Sequence, residues 1–338
     1  MSYLFHKDDR EEINQYKFKK QKKFYRVGAG DAAFRKFGMT IREDQVLVRE
    51  YKKYSGTLNP LVLIHKLHLG IEKKGSQIKY NHKVVRLLKK EDFYELEVLN
   101  TKTNKTKIIQ AKKVIIAAGA YTVSVLRDIA PYFKKLITPK KVLASFFKIR
   151  DQGFKQLSEA EIKNIINGHP MFSQSGKMYF SMIDKIEKDG SIIFKIGGHL
   201  MRRNIIDLDR VWTLEPRKKE IKWAKKQFRK YLEMLEIHLE KKDIEYIGAY
   251  NCVYAVSKTK IPFVTNIKDQ DGVLDKNIIV VSGMSGVGAK GCLGYGLLAA
   301  DLLLGRGESS TIYRKAAREF GNPSVRLNTK RIKPKRLF

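Results

Sequence analysis

The hydrophobic pattern of the chain is strongest between residues 278 and 304. Residues 278–281, Ile-Ile-Val-Val, are all β-branched and predict a strand buried on both faces. Glycines then recur through a turn, and from about Gly291 the leucines and alanines predict a buried helix. A strand, a glycine turn and a helix N-terminus bring free N–H groups and a positive dipole end to one point. Such a point suits an electron-rich or anionic ligand, and a tight turn packed against its neighbours explains the pattern equally well.

Other segments predict the rest of the architecture. Residues 114–116 predict a second buried strand that ends in small residues at a glycine, a place where α/β sheets accept ligands. After Pro139 the segments alternate between apolar and polar positions, which predicts antiparallel strands. Helices are predicted at 60–75, with Asn59 as the N-cap, and at 216–239. We therefore expect an α/β (mixed α+β) protein in which 278–281 lies beside 114–116 in one sheet.

The N-terminal region carries a weaker pattern. Gly28-Ala-Gly30 fits the loose dinucleotide fingerprint G-x-G-x-x-A, and Glu50 lies about twenty residues further on. The segment before it, 23–27, carries two charges in a short run, and the residues after it lack a clear apolar stripe. An ordinary turn is therefore the favoured interpretation.

Composition limits the class of protein. Of the 338 residues 43% are hydrophobic, so the chain can bury a sizeable core. It carries 68 Lys and Arg against 35 Asp and Glu, a formal charge of +33, which fits binding to nucleic acid or to an anionic membrane and is explained equally well by an acidic partner or a generally basic proteome. The charges are spread along the chain and aromatic residues are not interleaved with them, so nucleic acid is not the expected partner.

Several classes of site and location are also limited. Cys252 and Cys292 are the only cysteines, so no disulfide framework is expected. His65 and His68 share a helix face, but no nearby residue completes a ligand set, and we expect no metal site. The chain has no signal-like start and no apolar run of membrane length, so we expect a cytoplasmic protein with no membrane association.

Four segments, in this order, resemble the flavin-dependent amine and amino-acid oxidoreductases of the D-amino-acid oxidase type. They are Gly56-Thr-Leu-Asn-Pro60, 75–85, 114–121 and 282–290. The resemblance covers roughly residues 38–306 and rests on the order of motifs that are weak individually. It implies FAD as the cofactor, an incomplete Rossmann-like FAD-binding domain and an antiparallel-sheet substrate domain.

Within the family, the chain looks most like the branch of monomeric sarcosine oxidase and pipecolate oxidase. The segment that ends at His199 is similar to one that ends in an active-site His, and Lys290 stands where the branch has a Lys near the flavin. Cys252-Val-Tyr254 is similar to the branch's Cys-x-Tyr, whose Cys is bonded covalently to the flavin. The resemblance thus implies an enzyme that oxidises a secondary amine or amino acid by hydride transfer to FAD.

The resemblance also implies site residues. The catalytic candidates are Lys290, which would stabilise negative charge that develops on oxygen, and His199 and Tyr179, which would position the substrate. The candidates for cofactor binding are Val84, Ala117, Gly119, Cys252, Gly283, Met284, Ser285, Gly286 and Gly288. Without the resemblance these residues have ordinary explanations, such as a surface lysine or a small core cysteine.

The resemblance divides the chain into parts with different roles. We expect a basic extension at 1–37, the first part of the FAD-binding domain at 38–138, a substrate domain at 139–268, the rest of the FAD-binding domain at 269–308 and a basic tail at 309–338.

The chain departs from the family pattern in two places. The family's opening strand, its full G-x-G-x-x-G turn and the acidic end of its second strand have no match, and Ser257-Lys-Thr259 replaces the usual Thr-Pro-Asp. Three interpretations stay open: a second polypeptide supplies the missing portion, the chain is an inactive remnant that acts as a binding or interaction protein, or Gly28-Ala-Gly30 is a reduced substitute. A basic protein associated with nucleic acid is a further alternative.

Overall fold

The computed structural model of the chain is built from three β-sheets and the helices that cover them. It describes residues 2–17, 25–29, 41–50, 58–163, 165, 171–174, 179–205, 207–259, 261–269 and 271–306. The basic tail at 309–338 lies outside the described residues. The α-helices are α1 (Arg10–Lys17), α2 (Pro60–Lys73), α3 (Thr122–Val125), α4 (Asp151–Lys155), α5 (Glu159–Lys163), α6 (Lys218–Met234) and α7 (Gly288–Leu303). Short 3-10 helices occur at Gly119–Tyr121, Pro131–Lys135, Val211–Thr213 and Lys241–Asp243.

The largest sheet has eight strands, which are β1 (Ser2–His6), β2 (Tyr25–Ala29), β3 (Gln45–Glu50), β8 (Ile137–Ile149), β9 (Met171–Gln174), β10 (Tyr179–Ile186), β11 (Ile192–Asn204) and β12 (Ile244–Ser257). Their order is β12-β8-β11-β10-β9-β1-β3-β2, and all neighbours are antiparallel except β1 and β9. The helix α6 covers one face of this sheet, where the Phe228 ring stacks on Phe147 and packs at a tilt against Phe194 in a buried core.

The second sheet contains the two apolar runs that the sequence predicted to lie together. Its strands are β7 (Val114–Ile116), β13 (Phe263–Lys268) and β14 (Leu274–Ser282), in the order β13-β14-β7. β14 and β7 are parallel, with Ile278 opposite Val114 and Val280 opposite Ile116. The prediction that 278–281 lies beside 114–116 is therefore confirmed.

Each face of this second sheet has its own cover. The helix α7 packs on the face that carries Ile279 and Val264. The opposite face, with Ile278 and Val280, packs against an antiparallel meander through residues such as Leu87. The meander consists of β4 (His82–Lys89), β5 (Tyr94–Asn100) and β6 (Lys105–Ala111). The run 278–281 is buried on both faces for this reason, as its composition indicated.

The N-terminal region contributes strands to a sheet, whereas the sequence analysis expected a basic extension at 1–37. β1 and β2 are strands of the eight-stranded sheet, and both pair antiparallel with β3. Gly28 therefore lies in an antiparallel edge hairpin, opposite Leu47, whereas a dinucleotide fingerprint belongs to a parallel sheet. Arg26, one of the two charged residues that argued against the fingerprint, lies in β2, which is the outermost strand of the sheet among the described residues, and an edge strand tolerates polar residues that a central strand does not. Residues 30–33 of the motif lie outside the described residues.

The end of the antiparallel portion also differs from the sequence prediction. β13 was expected in the antiparallel substrate domain, which was drawn to residue 268, but it pairs with β14 in the second sheet. β12 is thus the last strand of the eight-stranded sheet, and the chain crosses between the sheets after Ser257. β12 and β13 look alike in sequence, but β12 pairs with β8, whereas β13 forms a hairpin with β14, which in turn pairs with β7.

The predicted helix at 60–75 forms as α2, with an unusual environment. The Asn59 side chain accepts hydrogen bonds from the backbone N–H groups of Leu61 and Val62, as the N-cap prediction required. None of the residues of α2 is buried, and Leu61 is 76% exposed. His68 and Tyr80 form a side-chain hydrogen bond of 2.7 Å. The described part of the chain contains no helix that is long and apolar enough to cross a membrane.

Candidate active site

The carboxyl ends of β7 and β14 are joined by a small buried polar cluster. The Thr122 hydroxyl donates to the Gly119 carbonyl at 2.8 Å, and the Ser282 hydroxyl donates to the same oxygen at 3.2 Å. The two hydroxyl oxygens lie 3.0 Å apart, and both side chains are fully buried. Ala117 is exposed at this edge of the sheet. The cluster holds two of the predicted cofactor segments side by side at the end of a parallel pair, where α/β sheets bind ligands.

The glycine turn after β14 is shaped by close contact with β12. Gly286 has a φ of +94°, and a Cβ there would stand 2.5 Å from the Tyr254 ring. Gly283 has a φ of +71°, and a Cβ there would stand 2.7 Å from the ring of Phe263. Both positions therefore require glycine for backbone conformation and for space.

Hydrogen bonds fix the same turn to the end of β12. The Ser285 backbone N–H donates to the Ala255 carbonyl at 2.9 Å, and the Ser285 hydroxyl oxygen accepts from the Ser257 N–H at 3.1 Å. Met284 forms an isolated antiparallel bridge with Val256. Ser285 adopts a φ of +51°, which is uncommon for a residue with a side chain and is held here by these bonds. The turn thus fastens the second sheet to β12 of the eight-stranded sheet.

The helix α7 starts directly after this turn. Its N-cap residue, Val287, has no capping side chain, and a Cβ on Gly288 would lie 3.0 Å from Met284. The N-terminal N–H groups and the positive end of the helix dipole therefore lie next to the glycine turn. Lys290 is exposed in the first turn of this helix. The arrangement combines a cation with a helix N-terminus, both of which favour negative charge nearby.

Cys252 lies on β12, two residues before the tyrosine that contacts the turn. Cys252 pairs with Val142 and, by strand alternation, faces the same side of the sheet as Tyr250 and Tyr254. The thiol is half-buried, and burial raises its pKa, although the positive charge of Lys195 partly opposes the shift. The Lys195 Nζ lies 5.7 Å from the centre of the Tyr250 ring. This aromatic face of β12 leads from the thiol to the glycine turn.

His199 and Tyr179 are placed by their backbone in the same sheet. Tyr179 is the first residue of β10 and pairs with Gly198, which directly precedes His199 in β11. The two residues therefore occupy neighbouring positions on adjacent strands. The side chains of both lie outside the description, so their predicted convergence with Lys290 and Cys252 stays a prediction.

Val84 lies in the meander, outside the sheet whose last strand leads into the glycine turn. It is a half-buried residue of β4, opposite Val98 and beside a bulge in the meander. β4 packs against α3, the helix that follows Gly119. α3 thus connects the strand that carries Val84 with the end of β7.

Sequence reasoning missed several residues that shape this region. Thr122, Ser282 and Ser257 form its buried hydrogen bonds, and Lys195 sets the charge near Cys252. A signal was present for the hydroxyl residues, because two of them directly follow predicted strands. Tyr250 also could have been found, since it precedes Cys252 by two positions and so shares its strand face.

Comparison with known proteins agrees with this geometry. Residues 3–302 match the family described as DAO: FAD dependent oxidoreductase. Among solved structures, L-proline dehydrogenase from P. horikoshii is similar with a TM-score of 0.63 and 17% identity, covering 90% of this chain and 72% of that one. Fructosamine oxidase from Aspergillus fumigatus is similar with a TM-score of 0.65 and 14% identity, covering 96% of this chain and 70% of that one.

A third similar structure is glycine oxidase from Bacillus cereus, with a TM-score of 0.59 and 16% identity, covering 90% of this chain and 73% of that one. At sequence identities of 14–17%, the similarity to these three structures shows a shared fold and nothing more specific. A comparison with curated protein sequences gives no match. The family match spans nearly the whole chain, and the chain therefore belongs to the DAO family of FAD-dependent oxidoreductases.

Proposed function

We propose that this protein oxidises a secondary amine or an amino acid with FAD, and that a second polypeptide completes its cofactor site. One observation carries the proposal: β12, with Cys252 on its aromatic face, is fastened to the glycine turn at the N-terminus of α7. This junction brings a substrate sheet and a flavin sheet to one place. The solved relatives named for proline, glycine and fructosamine support the class of substrate.

The described residues fit the ring end of FAD. The turn at 283–286 admits close backbone approach, and the uncapped N-terminus of α7 offers N–H donors to the electron-rich side of the ring. We assign the ring contacts to the turn, to Gly288 and to the strand end at Ala117 and Gly119. Val84 would act at a distance, through the meander and α3.

When bound, FAD supplies the acceptor for the hydride that leaves the amine carbon. Lys290 and the helix N-terminus would stabilise the negative charge that develops beside them and would favour negative charge on oxygen. His199 and Tyr179 would hold the carboxylate or the amine of the substrate. Cys252 would hold the cofactor covalently.

The described residues fit the pyrophosphate of FAD poorly. A pyrophosphate is held where a parallel strand meets a helix through a glycine turn, and α7 provides that arrangement once, at the ring end. Gly28 lies in an antiparallel hairpin of the other sheet and does not supply a second one. We therefore assign the pyrophosphate contacts to a second polypeptide.

The test is the oxidation state of FAD in the native material. An affinity-tagged chain purified from its own source is mixed anaerobically with proline, sarcosine, pipecolate or glycine, and the flavin absorbance is followed. We expect one of these amines to bleach the flavin and air to restore it. If the purified protein contains flavin and none of these amines bleaches it, the protein is instead an inactive binding protein. Matched variants are Lys290→Met at the site and Lys276→Met, which is exposed on β14 near its opposite end.

A further inference from the structure

The outer face of α6 carries a concentration of positive charge. Seven cationic side chains lie within residues 218–230 and all of them are exposed: Lys218, Lys219, Lys222, Lys225, Lys226, Arg229 and Lys230. At about 100° of rotation per residue, they share about 140° of the helix circumference. The buried residues of α6, among them Ala224 and Phe228, lie on the opposite side. The helix thus gathers charges that look dispersed along the sequence into one strip, which we call the α6 strip.

Acidic residues do little to offset this charge. α6 contains two carboxylates, of which Glu220 is buried and pairs with Lys141 on the sheet side, and Glu233 is exposed near the C-terminal end. Within the part of the chain that the structure describes, no carboxylate lies at ion-pair distance from the seven cations. Lysines elsewhere, such as Lys83 and Lys148, do form such pairs. The α6 strip therefore presents its charge to a binding partner.

The α6 strip also places like charges where they repel one another. Four of its lysines follow each other at intervals of four residues: Lys218, Lys222, Lys226 and Lys230. Like-charged side chains four residues apart destabilise a helix. Lys218 and Lys219 moreover stand in the first turn, where the helix dipole disfavours cations. A polyanion bound along the α6 strip would relieve both effects.

The chemistry of the α6 strip fits a phosphate polymer better than a protein or a bilayer. The core of a protein interface is depleted of charged residues, whereas the apolar Ile221 and Trp223 at the margins of the strip are half-buried. A helix that binds a membrane surface inserts an apolar face, and that of α6 is buried in the core. Interfaces with nucleic acid are much more positively charged, because phosphates supply most of the contacts.

We propose that the α6 strip binds duplex DNA, with α6 lying along the major groove. A helix with its side chains is about 10–12 Å across, and the major groove of B-form DNA is about 12 Å wide. The major groove of duplex RNA is too deep and narrow for this. Single strands are bound through exposed aromatic rings, and no ring of α6 is exposed.

The dimensions of the α6 strip match the spacing of phosphates. From Lys218 to Lys230 it extends about 18 Å, which corresponds to about five phosphates of one strand. Lys225 and Lys230 lie at its two edges and face the two phosphate rims of the groove. Since phosphates carry no sequence information, the binding is independent of base sequence.

The α6 strip lies across the eight-stranded sheet from the candidate active site. Lys141 and Phe147 of β8 face α6. Val142, next to Lys141, points to the other side of the sheet and stands opposite Cys252. DNA on the α6 strip would therefore leave the proposed flavin site open, and the inference does not depend on the proposed function.

Fluorescence anisotropy with a labelled duplex of 20 base pairs tests the proposal. One variant of the full chain changes four residues of the α6 strip to Gln: Lys218, Lys222, Lys225 and Lys226. The matched control removes the same charge from exposed lysines of the meander and its flanks: Lys102, Lys105, Lys107 and Lys112. The α6 variant should bind at least about 100-fold more weakly, and the salt dependence of log K should lose about 3.6, or about 0.9 per phosphate contact. The control should change affinity by less than about threefold. Equal losses in the two variants would show that net charge alone attracts DNA and would overturn the proposal.

Further probes distinguish duplex DNA from other anionic surfaces. A third variant with Arg at the same four positions of α6 should keep its affinity, and circular dichroism checks that every variant is folded. Methyl green, which occupies the major groove, should displace the protein, whereas netropsin, which occupies the minor groove, should not. An RNA duplex of the same sequence should bind at least about tenfold more weakly, and phosphatidylserine vesicles should bind the α6 and control variants equally. Displacement by netropsin alone, or binding through the α6 strip that is tighter for RNA or vesicles than for DNA, would overturn the proposal.

Discussion

Lys290 illustrates how a single residue acquires meaning from its position. A cation in the first turn of a helix is disfavoured by the helix dipole by about 0.3–1 kcal/mol. Lys290 nevertheless occupies the first turn of α7, directly after the glycine turn. An electron-rich ligand at the same point would attract both the cation and the helix N-terminus and so offset this cost. The position therefore agrees with a role toward the flavin and with the charge on oxygen.

Lys290→Met is predicted to slow the reoxidation of the reduced protein by oxygen about 100-fold, because the lost cation stabilises charge that develops on oxygen. Reduction by the amine should change by less than about threefold, since the N-terminus of α7 still stabilises the negative charge that develops on the flavin in that step. Stopped-flow absorbance measures the two half-reactions separately. Lys276→Met is the control, and equal slowing of both half-reactions would contradict the role.

Cys252 is the second residue whose chemistry depends on its surroundings. Burial raises the pKa of its thiol, and Lys195 opposes the shift. A raised pKa means that less thiolate is present at a given pH, and the thiolate is the reactive form. Any reaction of Cys252 should therefore become faster as the pH rises toward the raised pKa.

Cys252→Ser is predicted to abolish flavin that stays with the polypeptide after denaturation, while Cys292→Ser should retain it. In the wild-type protein the rate of covalent attachment should increase with pH, for the reason just given. Mass spectrometry of the denatured protein measures the adduct. An adduct on Cys292, or a fully yellow and active protein without any adduct, would show that Cys252 is not the attachment site.

At the scale of secondary-structure elements, the contact between α6 and β8 contains a buried ion pair. Lys141 Nζ lies 3.2 Å from Glu220 Oε2, and the two side chains are 8% and 1% exposed. The same carboxylate oxygen accepts the backbone N–H of Arg217 and so closes the first turn of α6. Loss of the cation would leave a buried negative charge without its partner, which is more costly than the pair is stabilising.

Lys141→Met is therefore predicted to lower the free energy of unfolding by about 3–5 kcal/mol. The double variant with Glu220→Gln should recover most of the loss, because the unpaired charge is then removed. Lys148→Met on the same strand is the control, since Lys148 pairs with Glu187 where both side chains are partly exposed, and its loss should cost at most about 1 kcal/mol. Urea denaturation measures all three. A loss for Lys141→Met no larger than that of the control would show that the pair contributes little.

For the whole molecule, the important feature is the junction between the large antiparallel sheet and the three-stranded sheet. The chain crosses between them after Ser257, and the glycine turn is bound to β12 at the same point. The ring end of the proposed cofactor site thus combines distant parts of the chain. We assigned the pyrophosphate end to no described residue, and this asymmetry leads to a prediction about affinity.

The isolated chain should bind FAD with a dissociation constant above about 1 μM, which corresponds to less than about 8 kcal/mol of binding free energy. Riboflavin should bind within about tenfold of FAD, because only the ring is held. Isothermal titration calorimetry measures both ligands. Sub-micromolar binding of FAD together with weak binding of riboflavin would mean that this chain holds the pyrophosphate itself.

Local features of the fold could be predicted from the sequence because their causes are short-range. The β-branched run at 278–281, the glycines after it and the cap at Asn59 depend on neighbouring residues, and all three appear as predicted. The pairing of β14 with β7 was predicted as well, since two fully apolar runs that end in glycine have few other places to be buried. The order of motifs also carried enough information to indicate the family.

Only the tertiary structure decided which sheet each ambiguous strand joins. β1, β2 and β13 resemble other short strands in sequence. β1 pairs with β3 and with the distant β9, and β2 pairs with β3, whereas β13 pairs with the next strand, β14, and joins the second sheet because β14 pairs with the distant β7. The same holds for the candidate site: the contact of Tyr254 with Gly286 and the burial that raises the pKa of Cys252 arise from residues brought together by folding. Sequence thus determined the elements and the class of chemistry, because these follow from local pattern and residue type. The structure determined which elements meet and which surfaces stay bare, because these follow from packing across long separations.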